Sequence, residues 1–156
     1  MRKLRCFIIM FSGDKMVIMS IDYGDVRTGV AICDKFEMLA SPVCVINQRK
    51  KELLIEEIHK LTDIHKPELI VVGLPKNMDS SIGERAEKCI EFAEELSQIT
   101  GIPHTMRDER LTTVSAHNAL NVTNTRGKKR KAVVDQVAAV VILQDYIDFR
   151  RINNIR

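Results

Sequence analysis

The stretch from Val17 to Asp34, VIMSIDYGDVRTGVAICD, constrains this chain more than any other. An apolar run ends on Asp22, the backbone turns through Tyr23-Gly24-Asp25-Val26, and a second apolar run containing Gly29 begins at Arg27. That pattern predicts two strands joined by a tight corner, with a carboxylate held at the lip of the sheet. A rigid strand end is a good place for an acid that holds a metal ion, provided later segments bring further donors to the same edge.

The following segments supply the rest of a sheet. Asp34-Lys35 connects to Glu37–Ile46, a β-branched segment that reads as the third strand of an antiparallel meander. Pro42 has no N–H to donate, so this strand is expected at a sheet edge or with a bulge. From Arg49 to His65 the spacing becomes helical, with Leu54, Ile58 and Leu61 on one face, and Pro67 ends it. Leu69–Gly73 reads as a strand covered on both faces, followed by a loop over Leu74–Asp79. Ser81 and Glu84 match an S-x-x-E capping box opening a helix with Ala86, Cys89, Ile90, Ala93 and Leu96 inward, which stops at Gly101. Ile102–Arg107 is expected as a fifth strand ending in Asp108-Glu109-Arg110. Thr112 or Thr113 caps a short helix through Leu120; Asn121–Lys131 is an aperiodic polar loop; and Ala132–Arg150 is a largely buried final helix.

Strands linked through helices run parallel when they are neighbours, and right-handed crossovers place the fourth and fifth strands successively beside the first. The expected fold is therefore α/β, a five-stranded mixed sheet of order 3-2-1-4-5 flanked by helices. Strands one, four and five then end on one edge, where α/β sheets bind ligands. Asp22, the loop after Gly73 and Asp108-Glu109 converge there.

Length and composition fit one such unit. At 156 residues, 29% of them charged and 45% hydrophobic, the chain has room for a single core. We expect one domain over residues 16–150, an N-terminal extension over 1–15 and a short tail over 151–156. The basic, apolar start MRKLRCFIIMF imitates a leader, but its apolar run is below the roughly 7 to 15 residues of a secretory segment. Residues 1–15 therefore read as a dispensable extension or a misplaced start, with Met16 and Met19 standing at the first strand. No stretch approaches the ~20 apolar residues of a membrane span. Cys6, Cys33, Cys44 and Cys89 lack C-x-x-C spacing and read as reduced core residues of a cytoplasmic protein, although Cys33 and Cys44 could face each other across a hairpin. His59, His65, His104 and His117 lack the i, i+4 spacing of a helical zinc site.

Several constellations carry chemistry, each beside a plainer account. Asp22-x-Gly24-x4-Gly29 lets backbone approach a phosphate or metal closely, although turns collect Asp and Gly in any case. A similar pattern occurs in actin-like kinases and ATPases, which need a second lobe that this length does not supply. Asp108 and Glu109 alternate in direction if both lie on a strand, so only one faces Asp22; the plainer account is a solvated charged turn. Asp135 and Gln136 are the only polar residues between Ala132 and Leu143. A buried carboxylate there needs a cation, a metal or an open cleft, the competing account being an exposed acid near a helix N-terminus. Three such carboxylates suit two-metal phosphodiester chemistry, with hard oxygen donors favouring Mg2+ or Mn2+. Arg126, Lys128, Lys129, Arg130 and Lys131 form a cluster able to bind phosphates in a sequence-independent way, or simply a solvated loop. With two Tyr, five Phe and no Trp, base stacking should contribute little.

The segments SIDYGDVRTGVAICD, IVVGLPKNMD, DERLTTVSAHNAL and KAVVDQVAAVVILQDYI resemble, in content and order, the YqgF family. These are nucleases assigned to precursor 16S ribosomal RNA, related to Holliday junction resolvases, with a ribonuclease-H-like fold. The resemblance implies Asp22, Glu109 and Asp135 as metal-binding catalytic acids, and Lys76, Asn77 and Arg110 as residues lining a nucleic-acid groove. The implied activity is metal-dependent endonucleolytic cleavage in 5′-end maturation of pre-16S rRNA by a monomer or homodimer. Cleavage of branched DNA by a dimeric resolvase and non-cleaving nucleic-acid binding are the alternatives.

Overall fold

A computed structural model describes the backbone of residues 15–111 and 128–155, and the side chains of 15–110 and 136–155. Among the described residues, β1 (Ile18–Asp22), β2 (Arg27–Cys33), β3 (Ala40–Asn47), β4 (Leu69–Leu74) and β5 (His104–Asp108) form one sheet. Its order is β3-β2-β1-β4-β5, as the alternation of elements predicts. β1 pairs antiparallel with β2 and parallel with β4, and β4 pairs parallel with β5. Three helices cover it: α1 (Lys51–His65), α2 (Glu84–Thr100) and α3 (Lys128–Ile152).

The two-residue period of the strands sorts side chains between two cores. Met19 and Ile21 of β1, with Ile70 and Val72 of β4, pack against Leu54, Ile55 and Ile58 of α1 and Phe92, Ala93 and Leu96 of α2. Ile18, Leu69 and Val71 face the other way, onto Ala139, Ile142, Leu143 and Ile147 of α3. β4 is buried throughout, which is why it reads as a continuous apolar run.

Polar contacts fix how α3 lies across β1. The buried hydroxyl of Ser20 donates to the Ala139 carbonyl at 2.6 Å. Near the other end of the helix, Arg150, 3% exposed, pairs with Glu37 at 3.0 Å. Glu37 also accepts the Met16 N–H at 2.9 Å, immediately before β1. The C-terminal end of α3 therefore sits at the start of β1, and the helix runs back toward the strand's carboxyl end.

Local differences from the sequence reading have identifiable causes. β3 starts at Ala40 because Glu37 turns through the left-handed region (φ 52°), while Asp34 accepts the Met38 N–H at 2.8 Å. Pro42 does lie on an edge strand, and the β2–β3 register shifts between Val30 and Ala31 beside it. No capping box forms at α2. The helix begins at Glu84 after Gly83, because the Ser81 hydroxyl is engaged in the preceding loop, donating to Asp79 at 2.5 Å and accepting from Asn77 at 2.9 Å. Gly101 ends α2 in the left-handed conformation (φ 71°), as expected. Phe92 fills the core, a position the sequence reading gave to Ile90, which is only half-buried. α3 starts at Lys128, so Lys128–Lys131 belong to the helix rather than to a loop, and it runs to Ile152 rather than Arg150. The expected helix through Leu120, the rest of the loop and residues 1–14 lie outside the described residues.

Cys33, Cys44 and Cys89 carry free thiols, so no Cys33–Cys44 disulfide forms. Among the described residues, no helix is long and apolar enough to cross a membrane. Phe92 also stacks on Tyr23, with ring centroids 4.1 Å apart and planes 2° from parallel, so it pins the β1–β2 corner to α2. Truncation to Phe92→Ala should cost about 3–5 kcal/mol, measured by urea denaturation. A loss below about 1 kcal/mol would show that the corner does not depend on this contact.

Candidate active site

Asp22 is the last residue of β1, two positions beyond Ser20 and therefore on the α3 face of the sheet. The parallel register pairs Ile21 with Val72, so the next step sets Asp22 beside Gly73. A β-carbon at Gly73 would overlap Glu109 Oε1 and lie 2.9 Å from Ile142 Cδ1. The missing side chain leaves the space in which the Glu109 carboxylate sits, next to Asp22. A glycine inside an otherwise apolar strand is the signal for such close approach, and Gly73 is where the apolar run of β4 carries it.

Glu109 does not lie on β5. The strand stops at Asp108, and Glu109 opens a single 3-10 turn, Glu109–Leu111. This turn separates the two neighbouring acids. Asp108 is held by Arg110 at 2.7 Å; hydrogen bonds from Arg110 keep its carboxyl below the usual range, with the charges of Arg110 and Lys76 acting in the same direction. Glu109 moves the opposite way. Burial first, then the negative charge of Asp22, pushes its carboxyl up to about 7, against the pull of Arg85. Asp108 is bound to Arg110, and Glu109 is half-buried with the charge of Asp22 beside it.

Arg110 also shapes the loop after β4. Its Nη1 donates to the Asn77 carbonyl at 3.2 Å and to Ser80 Oγ at 3.0 Å. Lys76 is half-buried and Asn77 exposed in that loop, and Asn77 Nδ2 is engaged with Ser81. Lys76, Asn77 and Arg110 thus gather at the edge where Glu109 lies. The corner beneath Asp22 is as tight as its glycine implies, since a β-carbon at Gly24 would overlap the Arg27 carbonyl.

Asp135 lies on α3, one turn before Ala139. From the Ser20–Ala139 bond, two strand residues advance about 6.6 Å to Asp22, and four helix residues advance about 6 Å to Asp135. Because α3 runs antiparallel to β1, both steps lead to the same edge. Lys128–Lys131 follow at the beginning of the helix, and Arg126 lies outside the described residues. Among the described side chains no three His, Cys, Asp or Glu form a metal-holding cluster, and that of Asp135 is not among them.

A family profile described as "RuvX: Holliday junction resolvase" matches residues 16–149. The chain belongs to the RuvX family, also called YqgF. A Halothermothrix orenii member named "Putative pre-16S rRNA nuclease" is 46% identical over 135 residues, spanning 86% of this chain and 96% of its own. A Clostridium novyi protein of the same name is 41% identical over 133 residues, spanning 85% and 98%. The solved fold is also shared. Thermus thermophilus RuvC, in complex with Holliday junction substrate, superposes with a TM-score of 0.57 at 13% identity, over 88% of this chain and 96% of that one. The fowlpox virus Holliday junction resolvase gives 0.53 at 12% identity, over 86% and 99%. The RuvX sheet and its flanking helices are thus of the ribonuclease-H-like kind.

Two measurements test this geometry. Because the folded carboxyl of Glu109 (about 7) lies above its ordinary 4.5, folding favours its neutral form. Its contribution is unpenalised at low pH, and stability is lost as pH rises through the window from 4.5 to about 7. In chelator, Glu109→Gln should match the parent near pH 4 and exceed it near pH 8 by on the order of 1–3 kcal/mol. An equal difference between variant and parent at both pH values would refute the upward shift of this carboxyl. Gly73→Ala should cost about 1–3 kcal/mol by overpacking. Adding Glu109→Ala should restore part of that loss, and strict additivity in urea denaturation would show that the two residues do not touch.

Proposed function

We propose that this RuvX-family nuclease is a metal-dependent endonuclease acting in 5′-end maturation of precursor 16S ribosomal RNA. The reaction class, hydrolysis of phosphodiester bonds, comes with the family and its relatives. The observation that supports placing it at this edge is the Glu109 carboxylate seated over Gly73 beside Asp22.

The donor chemistry fits a divalent cation. Two like charges drawn together in a half-buried site destabilise each other's ionised form, and a hard cation relieves both. Asp22, Glu109 and Asp135 would hold Mg2+ or Mn2+, which when bound activates water and steadies the leaving oxygen. The chain's own contribution is positional. Ser20 and Gly73 fix where the acids stand, and Arg110 sets the loop carrying Lys76 and Asn77 against the same edge. Those residues, with Arg126, Lys128, Lys129, Arg130 and Lys131, would hold the substrate backbone through its phosphates. The free thiols of Cys33, Cys44 and Cys89 support a reducing compartment, the cytoplasm, as the place of action.

The family's description as a Holliday junction resolvase supports a second reading, resolution of branched DNA, which would require a homodimer presenting two symmetric sites. Purified protein incubated with precursor rRNA, a four-way DNA junction and linear duplex, in magnesium, manganese or chelator, separates the two. Cleavage of the RNA, lost in chelator and reduced to below about a hundredth in Asp22→Asn, Glu109→Gln and Asp135→Asn, is the expected result. Preferential cutting of the junction by a dimer would move the assignment to the resolvase reading. Binding without cleavage, or cleavage surviving the three substitutions, would defeat the catalytic site.

A further inference from the structure

The acids occupy the α3 face of the sheet edge, but the opposite face carries a cation at the same edge. Arg85 stands in the first turn of α2. Its Nη2 donates to the Tyr23 carbonyl at 3.4 Å, and its Nη1 lies 3.5 Å from the Asp25 carboxylate. Tyr23 is itself fixed by its stack on Phe92, so Arg85 meets a rigid corner immediately after Asp22. Its positive charge reaches Glu109, opposing the upward push of burial and of Asp22. Lys88, one turn further along α2 and paired with Glu84 at 2.9 Å, also lies within the field of Asp25.

The plainest account is a structural tie between helix and corner, and the geometry argues against it. Both contacts lie well beyond the 2.7–2.9 Å of a strong charge-assisted bond. The two side chains are 58% and 69% exposed, so the pair adds little stability. A guanidinium has five donors in a fixed fork that matches a phosphate, and these contacts engage two of them at the long limit. Arg85 is thus anchored loosely, beside the acids, with its fork open to solvent.

We propose that Arg85 is a phosphate-contacting residue, which on substrate binding exchanges the Asp25 carboxylate for a phosphodiester oxygen pair next to the acid edge. This rests on the nuclease reading and extends it. The nucleic-acid backbone crosses the edge, from Lys128–Lys131 on α3 to Arg85 on α2, rather than stopping at the basic start of α3. Asp25 acts as the resident anion that substrate displaces.

The test is fluorescence anisotropy with a labelled single-stranded RNA, in chelator to prevent cutting, over a salt series. Arg85→Ala should weaken binding about threefold to tenfold and flatten the log–log salt slope by about 0.7. Arg85→Lys should keep most of the slope. Asp25→Asn should tighten binding in the parent and do so far less in Arg85→Ala. Melting curves confirm that each variant is folded. Unchanged affinity and slope in Arg85→Ala, or equal tightening by Asp25→Asn in both backgrounds, overturns the inference while leaving the nuclease reading intact, provided that Lys76→Ala still weakens binding. No binding by the parent protein would overturn both.

Discussion

The structure depends on two carboxylates being held side by side at the end of a buried strand pair, an arrangement that electrostatics resists. Asp22 ends β1, and Glu109 reaches it across Gly73 because a 3-10 turn breaks β5 one residue earlier. Burial and the neighbouring charge both disfavour ionisation of Glu109. Only a scaffold with stability to spare can hold such a pair, and here it is the fully buried β4, between β1 and β5, that supplies it. A carboxyl raised in this way, at a sheet edge beside a second acid, is the kind of group that clusters at functional sites.

The remaining elements can be understood by how they serve that edge. α3 is fixed by contacts along its length, among them Ser20 to Ala139, the Ala40 N–H to Gln144 and Arg150 to Glu37, so its direction and register over β1 are set together. A one-turn slip would move the backbone of Asp135 by about 5.4 Å along the strand, away from the edge at which β1 ends. α2 approaches from the other face and ties the β1–β2 corner through the stack of Phe92 on Tyr23. Arg110 links the turn bearing Glu109 to the loop bearing Lys76 and Asn77. The acids are thus framed by contacts from every element that ends at this edge.

Much of this was legible beforehand. The apolar run ending on Asp22 and the continuous apolar run of LIVVG pointed to strands, the latter covered on both faces, and the helical crossovers gave the sheet order. The separation of Asp108 from Glu109 was foreseen only as an alternation along a strand. A 3-10 turn and the Asp108–Arg110 ion pair accomplish it instead. Ser81 matched a capping box, but a side chain with several local partners goes to whichever the loop geometry brings near, and Asp79 and Asn77 were nearer. Phe92 and Ile90 compete for one helix face by periodicity alone; the stack with Tyr23 decided between them.

The sequence by itself determined the elements, their order in the sheet and which residues carry charge, because these follow from periodicity, chirality and chain connectivity, all local or topological. Tertiary structure decided which of those charges meet. The space over Gly73, the direction of α3 and the approach of Arg85 to the corner each depend on two segments distant in the chain arriving at one place. No local pattern encodes that distance, since it is set by packing across the whole core.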